Sequence, residues 1–237
     1  MIPALKFTDL QKFYGKQKVL HGVSLEIPQG SFVGLIGENG AGKTTLIKCL
    51  LDFCDIQNGK IEIFGVDHHK TVARKPLAFL PERFSPPYFV TGQDFLDHMA
   101  RMYRVPLMRE GLDEVLTALD LPREALEKPV RTLSKGMSQK LGLAAVLLSR
   151  KRLLLLDEPM SGLDPKARAL LKQHLLDLKN HGKTLFFSTH LLSDVEALCD
   201  EIIILHEGKV CFSGTPHHCC DRFATSTLEQ AYISCIS

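Results

Sequence analysis

The segment GENGAGKTT, Gly37 to Thr45, continues the apolar run SFVGLIG and leads into Leu46, Ile47, Leu50 and Leu51 at helical spacing. It fits the pattern G-x-x-x-x-G-K-[ST]. A strand that enters a glycine-rich turn and then opens a helix aims several backbone N–H groups into one concavity, which suits phosphate oxygens. Gly37, Glu38, Asn39, Gly40, Ala41, Gly42, Lys43, Thr44 and Thr45 are therefore candidate nucleotide-binding residues. Lys43 is expected to reach the β- and γ-phosphates. The Thr44 hydroxyl is expected to ligate Mg²⁺, which takes oxygen donors.

The rest of the chain fits a sheet able to carry such a loop. GKIEIFG alternates as a half-buried strand, and LAFLPE is a strand that ends at a proline. From about Glu82 to Arg150 helical stretches dominate: GQDFLDHMARMY, REGLDEVLTALD and TLSKGMSQKLGLAAVLL. Strands and helices then alternate: RLLLLDEP, a helix from about Pro165 to Asn180, KTLFFSTH, a short helix, and EIIILHEGKV read as one strand. Such alternation implies a largely parallel sheet flanked by helices. The expected architecture is a single α/β domain, with residues 1–82 and 151–237 forming the core and residues 83–150 a helical insert. VLHGVSLEIP should add antiparallel strands at the N-terminal side.

Two carboxylates end the apolar strand LLLLDEP. Asp157 is placed to hold Mg²⁺, and Glu158 to orient and polarise an attacking water. His190 ends the next strand, FFSTH, and so shares the carboxyl edge of the sheet. Tyr14, in KFYG, either stacks on an adenine or packs as an ordinary aromatic; by itself ordinary packing is the expected reading.

The 24% charged and 45% apolar residues are a globular mix, and a net charge of +2 gives no electrostatic case for nucleic acid. No apolar run approaches the roughly 20 residues needed to span a bilayer. The N-terminal MIPALKFTDL lacks the pattern of a secretory signal, so a cytosolic chain is expected. Seven cysteines without C-x-x-C spacing suit a reducing compartment. In PHHCCD, around His217 to Cys220, adjacent cysteines are poor geometry for one tetrahedral zinc, and a polar turn is expected.

One feature is redundant for a simple phosphate-binding enzyme. Thr132 to Leu148 reads as a polar turn opening an apolar helix, a second anion-suited helix start far from Lys43. With it the order of elements becomes recognisable. The chain resembles the nucleotide-binding subunit of ATP-binding cassette (ABC) transporters. The elements are Tyr14, the loop at Gly37–Thr45, a switch loop at Glu82, the signature at Leu133–Met137, Asp157–Glu158, SGLD at Ser161–Asp164, and His190.

The resemblance implies two subunits packed head to tail. Ser134 and the Gly136 backbone of one would touch the γ-phosphate of ATP held by Lys43 of the other, and Asp164 would help join the two sites. It implies ATP and Mg²⁺ as cofactors, Thr44, Glu82 and Asp157 as metal residues, and Glu158 and His190 as catalytic ones. It also implies a homodimer or heterodimer with another such subunit, and an integral-membrane permease as partner. The chain would then lie peripherally at the inner face of the membrane, without nucleic acid.

Two positions depart from the family pattern. LSKGM stands where L-S-G-G-Q is usual, and Glu82 where Gln is usual. An ionised Glu cannot donate a hydrogen bond, which leaves metal ligation as its role. LPE together with SKGM is similar to a bacterial exporter branch whose membrane subunits are separate chains. ATP-driven closure would rotate the insert against the permease, with Phe84, Tyr88, Phe89 and Phe95 as contact candidates; at least half of these should pack internally. The closing TLEQAYI resembles the family's last helix. The alternatives are a soluble ABC ATPase acting on ribosomes or DNA, and a simple kinase-like enzyme. The first is disfavoured by a single cassette and by only about 90 residues between Lys43 and Ser134. The second gives the signature no job.

Overall fold

A computed structural model describes residues 1–237. The chain opens with β1 (Leu5–Tyr14), β2 (Gln17–Ile27), β3 (Phe32–Ile36), α1 (Lys43–Leu50), β4 (Asn58–Ile63) and β5 (Val66–Asp67). Next come β6 (Leu77–Leu80) and four helices: α2 (Gly92–Tyr103), α3 (Arg109–Ala118), α4 (Glu124–Glu127) and α5 (Lys135–Leu148). The remainder runs β7 (Leu153–Asp157), α6 (Pro165–Asn180), β8 (Thr184–Thr189), α7 (Leu192–Leu198), β9 (Glu201–His206), β10 (Lys209–Gly214), α8 (Pro216–Arg222) and α9 (Leu228–Ile236).

Two sheets result. The first is antiparallel, in the order β2-β1-β4-β5. The second has the order β10-β9-β3-β8-β7-β6 and is parallel except for the β9–β10 pair. Its central strands are buried on both faces, as parallel strands under two layers must be. Along β7, Leu154 and Leu156 enter the core shared with the helices between β6 and β7, while Leu153 and Leu155 enter the core around α1. The period of two thus divides one apolar run between two cores. Phe186 and Phe187 on β8 divide in the same way, each burial contributing about 1.5–3 kcal/mol.

The helices start where side chains can cap them. Thr91 and Asp94 form a reciprocal capping box at α2. Ser134 accepts from Met137 N at α5, and Asp164 accepts from Ala167 N at α6, where Pro165 supplies the first turn. The backbone pinches together on either side of α2–α4. Val130 N donates to Val90 O at 2.8 Å, Gly92 N to Lys128 O at 3.2 Å and Arg131 N to Tyr88 O at 3.3 Å.

Two local expectations are corrected. EIIILHEGKV is a hairpin rather than one strand, because Glu207 and Gly208 take φ of 45° and 72°, the conformation of a two-residue turn. PHHCCD is helical rather than a polar turn: Thr215 caps α8, Pro216 is its first residue, and Cys219 is buried. Phe84 and Phe95 pack in the core of the helical segment, whereas Tyr88 and Phe89 stay 68% and 74% exposed.

Candidate functional site

Four parallel strands deliver the chemistry to one edge. β3 ends in the glycine loop, β7 in Asp157 and Glu158, β8 just before His190, and β6 just before Pro81 and Glu82. This is the crevice outside the carboxyl ends of an open parallel sheet, where ligands bind in such folds. A cavity of about 790 Å³ lies there. Tyr14, Glu38, Asn39, Gly40, Gly42, Lys43, Thr44, Thr45, Glu82, Asp157, Glu158 and His190 all line it. Gly37 and Ala41 shape the loop from behind, both buried.

The loop needs its glycines for two reasons. Gly40 and Gly42 have φ of 91° and 109°, where a side chain is strained. A Cβ on Gly37 would lie 2.4 Å from the Leu205 carbonyl oxygen, so the loop could not seat against β9. Lys43 folds back inside this curl, donating to Gly37 O at 2.6 Å and Glu38 O at 3.2 Å. Burial holds its pKa below the usual lysine value, opposed by the carboxylates of Glu158, Asp157 and Glu82.

The carboxylates are held from β8. Ser188 Oγ donates to Asp157 Oδ1, and accepts from Glu158 N at 3.0 Å. Thr44 Oγ1 stands 3.4 Å from Asp157 Oδ2. Burial pushes the Asp157 carboxyl above its usual range, and the nearby Glu82 charge adds to this. Burial also raises Glu158, against the pull of His190 and Lys43. Glu158 has φ of 49°, a strained value for a residue with a side chain. Its Oε2 lies 2.9 Å from His190 Nδ1. Thr44, Asp157 and Glu82 present only oxygen donors and an excess of negative charge, which fits Mg²⁺, an ion that takes one or two carboxylates beside phosphate oxygens.

Tyr14 does not pack in the interior, as its sequence context alone suggested. It sits at the cavity rim, 47% exposed, with Lys12 Nζ 4.8 Å from its ring centre. Ser134, Gly136 and Asp164 do not line the cavity. Ser134 is exposed at the start of α5, and Asp164 pairs with Lys140 at 3.1 Å. Gly136 lies so close to Gly162 that a Cβ would meet its carbonyl oxygen at 2.9 Å, which joins the signature turn to the SGLD turn.

Sequence reasoning missed four lining or supporting residues, one of them Val19 on the cavity wall. Arg83 and Ser161 line the cavity, and Ser188 supports both carboxylates from behind. The only available signal for Ser188 was a hydroxyl within an apolar strand.

The sequence profile of the ABC transporter family matches residues 20–161. An uncharacterized ABC transporter ATP-binding protein of Nostoc is 40% identical over 221 residues, covering 88% of this chain and 65% of that protein. The bacitracin transport ATP-binding protein BcrA of Bacillus licheniformis is 37% identical, covering 89% of this chain and 69% of that protein. The chain spans 59% of the length of a further relative, from Synechocystis. The solved ATP-binding subunit of an ABC transporter superposes with a TM-score of 0.89 at 30% identity, covering 98% of this chain and 99% of that one. The phosphate loop, the paired carboxylates and the histidine at one sheet edge agree with that likeness: the chain belongs to the ABC transporter family and carries its ATP-binding ATPase domain.

Proposed function

We propose that the chain binds and hydrolyses ATP to drive an export permease built from separate membrane chains. The observation that carries this reading is the position of α5. Its start presents Ser134 to solvent, apart from the cavity that the chain's own loop forms. A second phosphate-suited helix start has a use when it faces the nucleotide of another subunit. Two chains related by a two-fold axis then make two composite sites, and ATP stabilises the closed pair because only that state offers both sets of contacts.

Within one site the residues divide the work. The loop amides and Lys43 bind phosphate, Lys43 exchanging its two loop carbonyls for ligand oxygens. Thr44, Asp157 and Glu82 would hold Mg²⁺, which neutralises phosphate charge when bound. Glu158, more basic than an ordinary carboxylate, orients the attacking water. His190 fixes the Glu158 side chain and faces the γ-phosphate. Tyr14 offers a ring face to adenine.

No helix is long and apolar enough to cross a membrane; in this reading the membrane path belongs to the partner. The exposed pair Tyr88 and Phe89, with ring centres 5.6 Å apart, is the surface offered to a cytoplasmic helix of that partner. Export is supported by relatives named for bacitracin transport and Nod factor export.

The test is affinity purification of the tagged Glu158→Gln chain from detergent-solubilised membranes of its own host, with and without ATP. A co-purifying multi-span membrane protein is the expected result. Recovery of ribosomes or DNA instead would favour a soluble ABC ATPase and overturn the transport reading.

A further inference from the structure

Away from the nucleotide crevice, three side chains from two segments converge. Asp52 follows α1, with φ of 62°. His68 and His69 follow β5. One ligand atom from each of the three lies within 4.8 Å of the others. His69 Nδ1 is 2.9 Å from Asp52 Oδ1, and the two imidazole rings are 4.0 Å apart.

His68 is the informative member. It is 1% exposed, and neither of its ring nitrogens has a hydrogen-bond partner. Buried imidazole nitrogens are costly to leave unmatched, and a ring that merely filled space would be better replaced by an apolar side chain.

Second-sphere groups are also in place. Arg74 bonds the His68 carbonyl oxygen and approaches Asp52 Oδ2 at 3.4 Å, leaving Oδ1 facing the histidines. Asp67 Oδ1 accepts from His69 N at 3.0 Å and lies 3.5 Å from His68 Nδ1. Outer contacts of this kind orient ligands in metal sites. The side chains of His69 and Asp52 are 53% and 27% exposed, which leaves a route for an ion and room for a water ligand.

We propose that Asp52, His68 and His69 form a Zn²⁺ site that ties the end of α1 to the segment after β5. Two imidazoles and one carboxylate suit zinc, whereas magnesium and calcium prefer all-oxygen sets. Tetrahedral ligands about 2.0–2.2 Å from an ion stand roughly 3.3–3.6 Å apart, so the ion would take the place of the 2.9 Å His69–Asp52 hydrogen bond, that pair opening by a few tenths of an ångström while His68 closes in. The His217–Cys220 segment is not its location: His217 pairs with Asp221 along an exposed helix face, while Cys219 points into the core.

The experiment is titration of Zn²⁺, and of Co²⁺ as its spectroscopic stand-in, into the purified full chain without nucleotide. One equivalent should bind, the thermal midpoint should rise, and the Co²⁺ spectrum should lack a thiolate charge-transfer band. His69→Ala removes a half-exposed ring and should still fold. It and Asp52→Asn should each weaken Zn²⁺ binding at least tenfold, while His217→Ala leaves binding intact. Unchanged affinity in His69→Ala, absence of binding by the parent chain, or an intense thiolate band would overturn the assignment. ATP affinity plays no part in the readout.

Discussion

His190 Nδ1 and Glu158 Oε2, carried on neighbouring strand ends, meet at 2.9 Å at the mouth of the phosphate crevice. The pair fixes a carboxylate whose backbone is already strained at φ 49°. Replacing Glu158 with Gln keeps the shape and removes the base. ATP binding should persist, and hydrolysis should fall roughly 10²–10⁴-fold. A phosphate-release assay beside a nucleotide-binding titration checks this; near-normal turnover would remove Glu158 from the role.

The same substitution has a consequence without nucleotide. Burial raises the folded-state pKa of Glu158 above its unfolded value. Such a group's stabilising contribution is complete below the unfolded pKa and is lost as pH rises through the folded one. Above the unfolded pKa, burial of this carboxyl therefore opposes folding. Glu158→Gln should raise the thermal midpoint at pH 7, and the gain should shrink as pH falls toward the acidic range. A gain that grows on acidification would contradict the sign.

Ser134 caps α5 through Met137 N at 3.2 Å. Ser134→Arg should weaken ATP-dependent pairing of subunits, measured by sedimentation in the Glu158→Gln background. Loss of the cap costs about 1 kcal/mol, so the variant should remain folded. An undiminished ATP dimer would exclude this helix start from a shared site.

Asp194 is wholly buried, held by Arg168 through two hydrogen bonds of 3.0 and 2.6 Å and by Lys172 at 2.7 Å. The cluster ties α6 to α7, which follow the SGLD turn and His190. Asp194→Asn should cost about 3 kcal/mol. For a domain of this size that lowers the thermal midpoint by about 6–12 °C. A shift under 2 °C would show that the cluster is replaceable.

Tyr88 and Phe89 are exposed and rest on each other rather than on the core. The double change to Ser should leave the thermal midpoint within about 2 °C, as surface substitutions usually do. It should nevertheless reduce recovery of the chain with solubilised membranes at least several-fold. Unchanged recovery would move the docking surface elsewhere.

Residues close in sequence were easiest to read. The loop, the DE pair and the histidine each follow an apolar strand, and parallel strands bring their ends to a common edge by topology alone. Ser188 was hidden because its partners, Asp157 and Glu158, are 31 and 30 residues away. Asp52 and His69 meet across 17 residues with no spacing rule to announce them. The α8 helix was legible in retrospect: Thr215 and Pro216 form an N-terminal signal that the eye-catching His–Cys run obscured. Tyr14 could not be decided without the structure, since an aromatic at a strand end serves a rim or a core equally well.

The backbone pinch between Tyr88–Gly92 and Lys128–Arg131 sets how this chain can vary. Everything from α2 to α4 leaves the sheet and returns through one narrow doorway. A change of length at an exposed turn inside that lobe leaves the two ends pinned where they are. The side chains it sends inward, Phe95 and Leu116 among them, stay bound to Leu80, Leu154 and Leu156, so the outer face is free to vary while the inner face is not.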